Sequence, residues 1–258
     1  MQYLHPLDIV RLEKGNRHRV VDPTTRFNTK PSLTGQCTGE VLLYERELLM
    51  EKIEAYKENP CGVLSIPYWK NKSICIPENM RIVHDTDYVE EDYKNYHDEP
   101  YFRLYHAMAD IQTITLDDIS IVTAKQEDIP LLVDVINQSY SDLSVTLEQF
   151  NGYTQTEVFS PELWIYAIDN VTSCVVGCGI ADFDKEIHEG ILEWIQVIPA
   201  YRGKGIGRLI VNELLKRMTG IADFATVSGK VNNPTSPEML YRKCGFVGDD
   251  IWHVLICL

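Results

Sequence analysis

From residue 119 onward, apolar positions recur with two alternating rhythms. Runs of strand character at 119–124, 163–168, 174–183, 190–198, 225–231 and 246–257 are interleaved with segments whose apolar residues fall three and four apart. Asp128 and Pro130 suit a helix start, and Ile129, Leu132, Val133 and Ile136 then share one helical face. Residues 147–159 predict a second helix, weakened by Gly152. Ile206, Leu209, Ile210, Leu214 and Met218 mark one stripe of a third helix, with Arg208, Asn212, Lys216 and Arg217 opposite and Gly220 as its stop. Residues 237–243 predict a short last helix. Alternation of this kind predicts an α/β fold with a mixed central sheet flanked by helices.

The first half is less regular. Residues 41–58 predict a helix with Leu42, Leu49, Ile53 and Tyr56 on one stripe, residues 62–66 a strand, and 73–76 and 80–83 short apolar runs. Tyrosines and acids mix from 88 to 105. The change of character near 110–118 places a boundary between an N-terminal region, 1–115, and a domain at 116–258. Pro67-Tyr68-Trp69-Lys70 and the aromatics of 101–106 suit the lining of an acceptor pocket, and ordinary packing explains them as well.

The glycine-rich connection Arg202-Gly203-Lys204-Gly205-Ile206-Gly207 joins a strand ended by Pro199 to the third helix. Glycines at alternate positions let backbone N–H groups converge without Cβ atoms in the way, and the positive end of the helix faces the turn. The pair makes a cradle for a pyrophosphate. Neither G-x-x-x-x-G-K-[ST] nor a full G-x-G-x-x-G is present, because position 208 is Arg.

This segment resembles motif A of the GNAT superfamily of N-acyltransferases. Asn233 through Leu240-Tyr241-Arg242-Lys243-Cys244-Gly245-Phe246 resembles the family's later Asn-initiated motif, with one extra residue between Asn and Tyr. The resemblance covers the last 140 residues or so, and no second Arg-Gly-x-Gly-x-Gly occurs in 1–115. It implies a GNAT-like fold for 116–258 and acetyl-CoA as acyl donor. The implied donor site is Gln196, Val197 and Ile198 on the strand, Arg202, Gly203, Lys204, Gly205, Ile206, Gly207 and Arg208 on the turn and helix start, and Asn233. It further implies direct transfer to a primary amine in a ternary complex. A backbone N–H near Val197 would hold the thioester oxygen, and Tyr241 would act as the acid toward the leaving thiolate. A non-catalytic acyl-CoA sensor would use the same cradle.

Glu193 is the candidate base. Strand alternation puts it on one face with Ile191, Ile195 and Val197, where apolar neighbours would raise its pKa. Glu189 is the second choice. Trp164 and Trp194 suit core or pocket wall. His84 with Asp85 and Asp87 reads as an acidic loop more readily than as a metal site, and no metal is expected.

The formal net charge of −14 opposes binding to nucleic acid; it reads as a solubilising surface and also suits a cationic acceptor such as an amine, and a small acceptor is expected rather than a protein. The seven cysteines include no C-x-x-C, so they read as small buried hydrophobes rather than as zinc or redox ligands. The N-terminus lacks the basic-then-apolar pattern of a secretory signal, no run is long enough to cross a membrane, and a cytoplasmic protein is expected. Oligomeric state is left open.

Overall fold

The structure, a computed structural model, describes residues 49–73, 76–141 and 143–258. Eight strands form one sheet: β1 (Met80–His84), β2 (Tyr96–His106), β3 (Ile119–Thr123), β4 (Trp164–Asp169), β5 (Cys174–Asp184), β6 (Glu189–Val197), β7 (Phe224–Lys230) and β8 (Val247–Cys257). Their spatial order is β1-β8-β2-β7-β6-β5-β4-β3. Every neighbouring pair is antiparallel except β6 and β7. The helices are α1 (residues 49–58), α2 (Tyr68–Ser73), α3 (Ile129–Ser139), α4 (Leu147–Tyr153), α5 (Ile206–Met218) and α6 (Pro237–Lys243). Among the described residues no helix is long and apolar enough to cross a membrane.

The apolar stripes read from the sequence cover the two faces of this sheet. Ile206, Ile210, Leu214 and Met218 of α5 pack with Tyr241 of α6 against Leu192, Ala225 and Val227. On the opposite face Leu132 and Ile136 of α3 and Phe150 of α4 pack against Trp164, Ile180 and Trp194. Each such side chain, fully withdrawn from water, contributes about 1.5–3 kcal/mol. Farther along that second face, Ile53 and Tyr56 of α1 and Tyr68 of α2 cover Phe224.

The boundary expected at 115/116 falls in the connection between β2 and β3, and strands from both sides of it share the sheet. β2 lies between β7 and β8 and is hydrogen-bonded to both. Its residues 101–105 are mostly buried, which is why a tyrosine-rich segment here obeys strand pairing rather than forming a loop.

Two expectations are corrected. Residues 62–66 form no strand. Gly62 N–H donates to Asn59 Oδ1 and Val63 N–H to the Asn59 carbonyl, so the run is spent closing the chain after α1. The helix expected over 147–159 ends at Tyr153, one residue beyond Gly152, in a turn where Thr154 and Thr156 hydroxyls donate to backbone carbonyls. Its start agrees with a capping box formed by Thr146 and Gln149. Residues 41–48 of the first expected helix, including Leu42, lie outside the described residues, as do residues 74 and 75 of the run at 73–76; residues 49–58 are helical.

Candidate functional site

β6 and β7 pair only over Glu189–Leu192 with Phe224–Val227. Beyond that point β7 continues its ladder with β2, pairing Gly229 with Phe102 and Lys230 with Tyr101. β6 continues its ladder with β5 as far as Val197. Two strands held by different neighbours separate, and a cleft of about 570 Å³ opens between them. Glu193, Gln196, Arg202, Asn233 and Tyr241 all line it.

The antiparallel register directs backbone groups into the gap. Ile198 N–H donates to the Val176 carbonyl at 3.0 Å, and Gly177 lies opposite Val197. Val197 therefore occupies a position whose N–H and C=O point away from β5, toward the side that β7 has left. Its carbonyl accepts from Arg202 Nε at 3.0 Å. Ile195 shares this parity and lines the cleft. The side chains of Val197 and Ile198 pack into the core instead.

Past the cleft wall the chain turns through Gly203 (φ +75°) and Gly205 (φ +86°), a backbone region that glycine enters without steric cost. A Cβ on Gly207 would lie 3.1 Å from Leu240 Cδ2, so the third glycine brings α6 close against α5. Among the described residues, the first N–H of α5 to find a backbone carbonyl is that of Leu209, which donates to Gly205. The N–H groups before it are the unsatisfied donors of a helix start. Ile206 is buried in the core and contributes only its backbone. Lys204 Nζ lies 4.5 Å over the Tyr201 ring, and Arg208 is bonded to Gln112. Arg202 is a brace: besides Val197 O it donates to the Ser139 carbonyl at 2.8 Å, tying β6 to the end of α3.

Glu193 does line the cleft, but not on the face the alternation implied. Ile180 pairs with Trp194 and Ala181 with Leu192, leaving Glu193 as the extra residue of a β-bulge. The alternation resets there: Leu192, Ile195 and Val197 pack toward α5, while Trp194 packs toward α3. Nor is the carboxylate among apolar groups alone. Lys70 Nζ of α2 lies 2.5 Å from Oε1, and the two side chains are 1% and 5% exposed. The carboxyl here whose pKa rises is that of Asp182 on β5, through burial first and the nearby charge of Glu193 second, with Lys70 opposing.

Glu189 does not reach the cleft. It is fully buried at the start of β6, accepting from Tyr56 OH (2.9 Å), Thr226 Oγ1 (2.5 Å) and Arg103 (3.4 Å). Arg103 also donates to the Pro60 carbonyl and to the Tyr56 oxygen. This network fastens α1 to the sheet.

Tyr241 sits on α6 with its ring between Phe102 and Phe246. Burial, followed by the proximity of Tyr140, raises its hydroxyl pKa, so it keeps its proton throughout the physiological range. Asn233 uses Oδ1 to accept from Thr235 N–H and Oγ1, shaping the turn beside the cleft. Trp164 and Trp194 are both core residues. His84 bonds Thr86 and Asp250, while Asp85 bonds His253. Among the described residues no cluster of three His, Cys, Asp or Glu is arranged to hold a metal.

Sequence reasoning named Lys70 within a segment suited to line a pocket but did not link it to Glu193, and it missed Asp182; the two lie 123 and 11 positions from Glu193, with no spacing that ties them to it. It also missed Tyr140, whose oxygen accepts from Gln196 Nε2 at 2.7 Å.

Residues 160–248 match the family model described as the acetyltransferase (GNAT) domain. No curated protein matches the chain by sequence. Among solved structures, a GCN5-related N-acetyltransferase from Sphaerobacter thermophilus superposes with a TM-score of 0.59 at 16% identity, over 68% of this chain and 58% of that one. An acetyltransferase of the GNAT family from Colwellia psychrerythraea gives 0.51 at 14%, over 73% and 69%. A glucosamine N-acetyltransferase region of a fungal multi-domain β-N-acetylglucosaminidase gives 0.50 at 13%, over 64% of this chain and 22% of that one. This chain thus spans little more than half the length of the Sphaerobacter protein, and at these identities the likeness is one of fold.

Proposed function

We propose that this chain, whose residues 160–248 match the acetyltransferase (GNAT) domain model, is an N-acetyltransferase that moves an acetyl group from acetyl-CoA to a primary amine by direct attack in a ternary complex. What supports this reading most is the cleft between the parted ends of β6 and β7: Tyr241 lines it, Val197 of β6 turns its N–H toward the side that β7 has left, and the open donors of the α5 start follow Arg202 of the cleft wall along the chain.

The residues present fit an acyl-CoA. Two glycines with positive φ and a helix start with open donors suit a pyrophosphate. Gln196, Arg202 and Asn233 line the same cleft as Glu193. Val197 N–H would donate to the thioester oxygen and bind it more strongly as charge develops there. Tyr241 would donate a hydrogen bond to the departing sulfur. With its pKa raised, it stabilises the thiolate as a donor rather than by early loss of its proton. Glu193 would accept, directly or through a water, the proton leaving the amine. The net charge of −14 favours a cationic acceptor.

Calorimetry with CoA, ATP and NAD tests the cradle, and preference for either nucleotide overturns the reading. Thiol release from acetyl-CoA over a panel containing ethanolamine, spermidine, glucosamine and a peptide with a free α-amine tests the chemistry. Tight binding without thiol release across the panel would make the protein an acyl-CoA sensor instead.

A further inference from the structure

Glu193 owes its place in the cleft to a residue far outside 160–248. As the extra residue of a bulge, it has no partner opposite it on β5, so the pleat of β6 does not by itself dictate where its side chain points. What holds it is Lys70, from the six-residue helix α2. We propose that Lys70 is a positioning residue of the transfer site: it holds Glu193 on the cleft wall as an anion able to take the proton that leaves the acceptor amine. This inference rests on the acyl-transfer reading above.

The surroundings of Glu193 leave that task to Lys70. Asp182 faces it from β5, Tyr241 from α6, and Tyr140, Arg202 and Lys230 stand along the same cleft. Arg202 is bonded to two backbone carbonyls and Lys230 lies 3.0 Å from Glu99. Among the described residues Lys70 is the cation within ion-pair distance of Glu193. Asp182 and Glu193 are close enough to influence each other, and burial already favours the neutral form of Asp182. Without Lys70, a second carboxyl with a 5% exposed side chain would face the same penalty and take up a proton. In the transfer itself the amine nitrogen bonds to the carbonyl carbon and the C–S bond breaks. The nitrogen's proton passes to Glu193 and then to the leaving thiolate or solvent, which restores the carboxylate.

The test compares wild type with K70M, K70R, E193Q and K70M/E193Q. Difference infrared spectroscopy of the protein without acceptor counts protonated carboxyls at neutral pH. We expect one more in K70M than in wild type, none added in K70R, and none added in K70M/E193Q relative to E193Q. With the panel amine that wild type turns over fastest, K70M should lose about tenfold in kcat/KM at neutral pH. The acidic limb of its pH profile should move up by about one pH unit. K70R should restore most of the rate, and adding K70M to E193Q should cost little further. CoA affinity by calorimetry and circular dichroism identify a variant that fails to fold; K70R then carries the comparison. A folded K70M with no added protonated carboxyl and an unmoved limb overturns the proposal. If wild type releases no thiol with any amine, the acyl-transfer reading fails, and the infrared comparison still decides whether Lys70 holds Glu193 ionised.

Discussion

Replacing Tyr56 by Phe removes one oxygen atom and tests whether α1 folds with the sheet. The ring is 1% exposed and lies 5.5 Å from Tyr68 and 6.3 Å from Phe224. Phenylalanine keeps those contacts and opens no cavity. The hydroxyl, however, donates to Glu189 at 2.9 Å and accepts from Arg103 at 2.8 Å. Each is a bond to a charged group, worth about 1.5–3 kcal/mol. Part of the loss is offset, because Arg103 still faces Glu189 at 3.4 Å and Thr226 still donates to it. The expected cost is therefore about 2–4 kcal/mol, which for a domain of this size lowers Tm by roughly 5–15 °C. Urea unfolding followed by tryptophan fluorescence measures it: Trp164 and Trp194 report on the core between α3 and the sheet, while Trp69 of α2 and Trp252, which donates to the Cys61 carbonyl, report on the chain that follows α1. The midpoint should fall with the slope unchanged. A loss below about 0.5 kcal/mol, far under the strength of one such bond, would refute the reasoning. So would a separate early loss of helical circular dichroism that precedes the main tryptophan transition, because α1 would then be an appendage rather than part of the fold.

Three other outcomes are expected. Asp182→Asn should flatten the dependence of stability on pH. The folded-state pKa of Asp182 is raised, so above the ordinary carboxylate range, near pH 4, the unfolded chain gives up a proton that the folded chain retains. The wild type therefore loses about 1.4 kcal/mol of stability for each pH unit climbed between the unfolded and the folded pKa; equal slopes in denaturation at several pH values would count against it. Tyr241→Phe should lower kcat by about a hundredfold while CoA affinity by calorimetry stays within about twofold, in keeping with a donor that acts in the transition state, and an unchanged kcat removes Tyr241 from the chemistry. Gly205→Ala forces φ +86° on a residue with a Cβ, costing about 1–2 kcal/mol, and should weaken CoA binding by about tenfold. Gly152→Ala, which meets no atom within 4 Å, is its control, and equal CoA affinities in the two variants would detach the glycine turn from the donor site.

Much of this protein follows from local rules. The stripe of Ile206, Ile210, Leu214 and Met218, the strands at 164–169, 174–184 and 189–197, and the glycine turn between β6 and α5 were all legible, because period and turn chemistry are properties of neighbouring residues. The same holds for Arg202, Gln196, Asn233 and Tyr241, whose motifs are contiguous and which meet in one cleft. Tertiary structure decided the rest. A bulge of one residue moved Glu193 off the face that alternation assigned it, and nothing local to 189–197 announces that bulge. Insertion of β2 between β7 and β8 joined a seemingly separate region to the sheet, because strand pairing depends on partners more than a hundred residues away. The ion pair of Lys70 with Glu193 and the bond of Tyr56 with Glu189 span 123 and 133 positions. Interactions of that kind leave no periodic trace in a sequence, since their geometry exists only after the chain has closed around them.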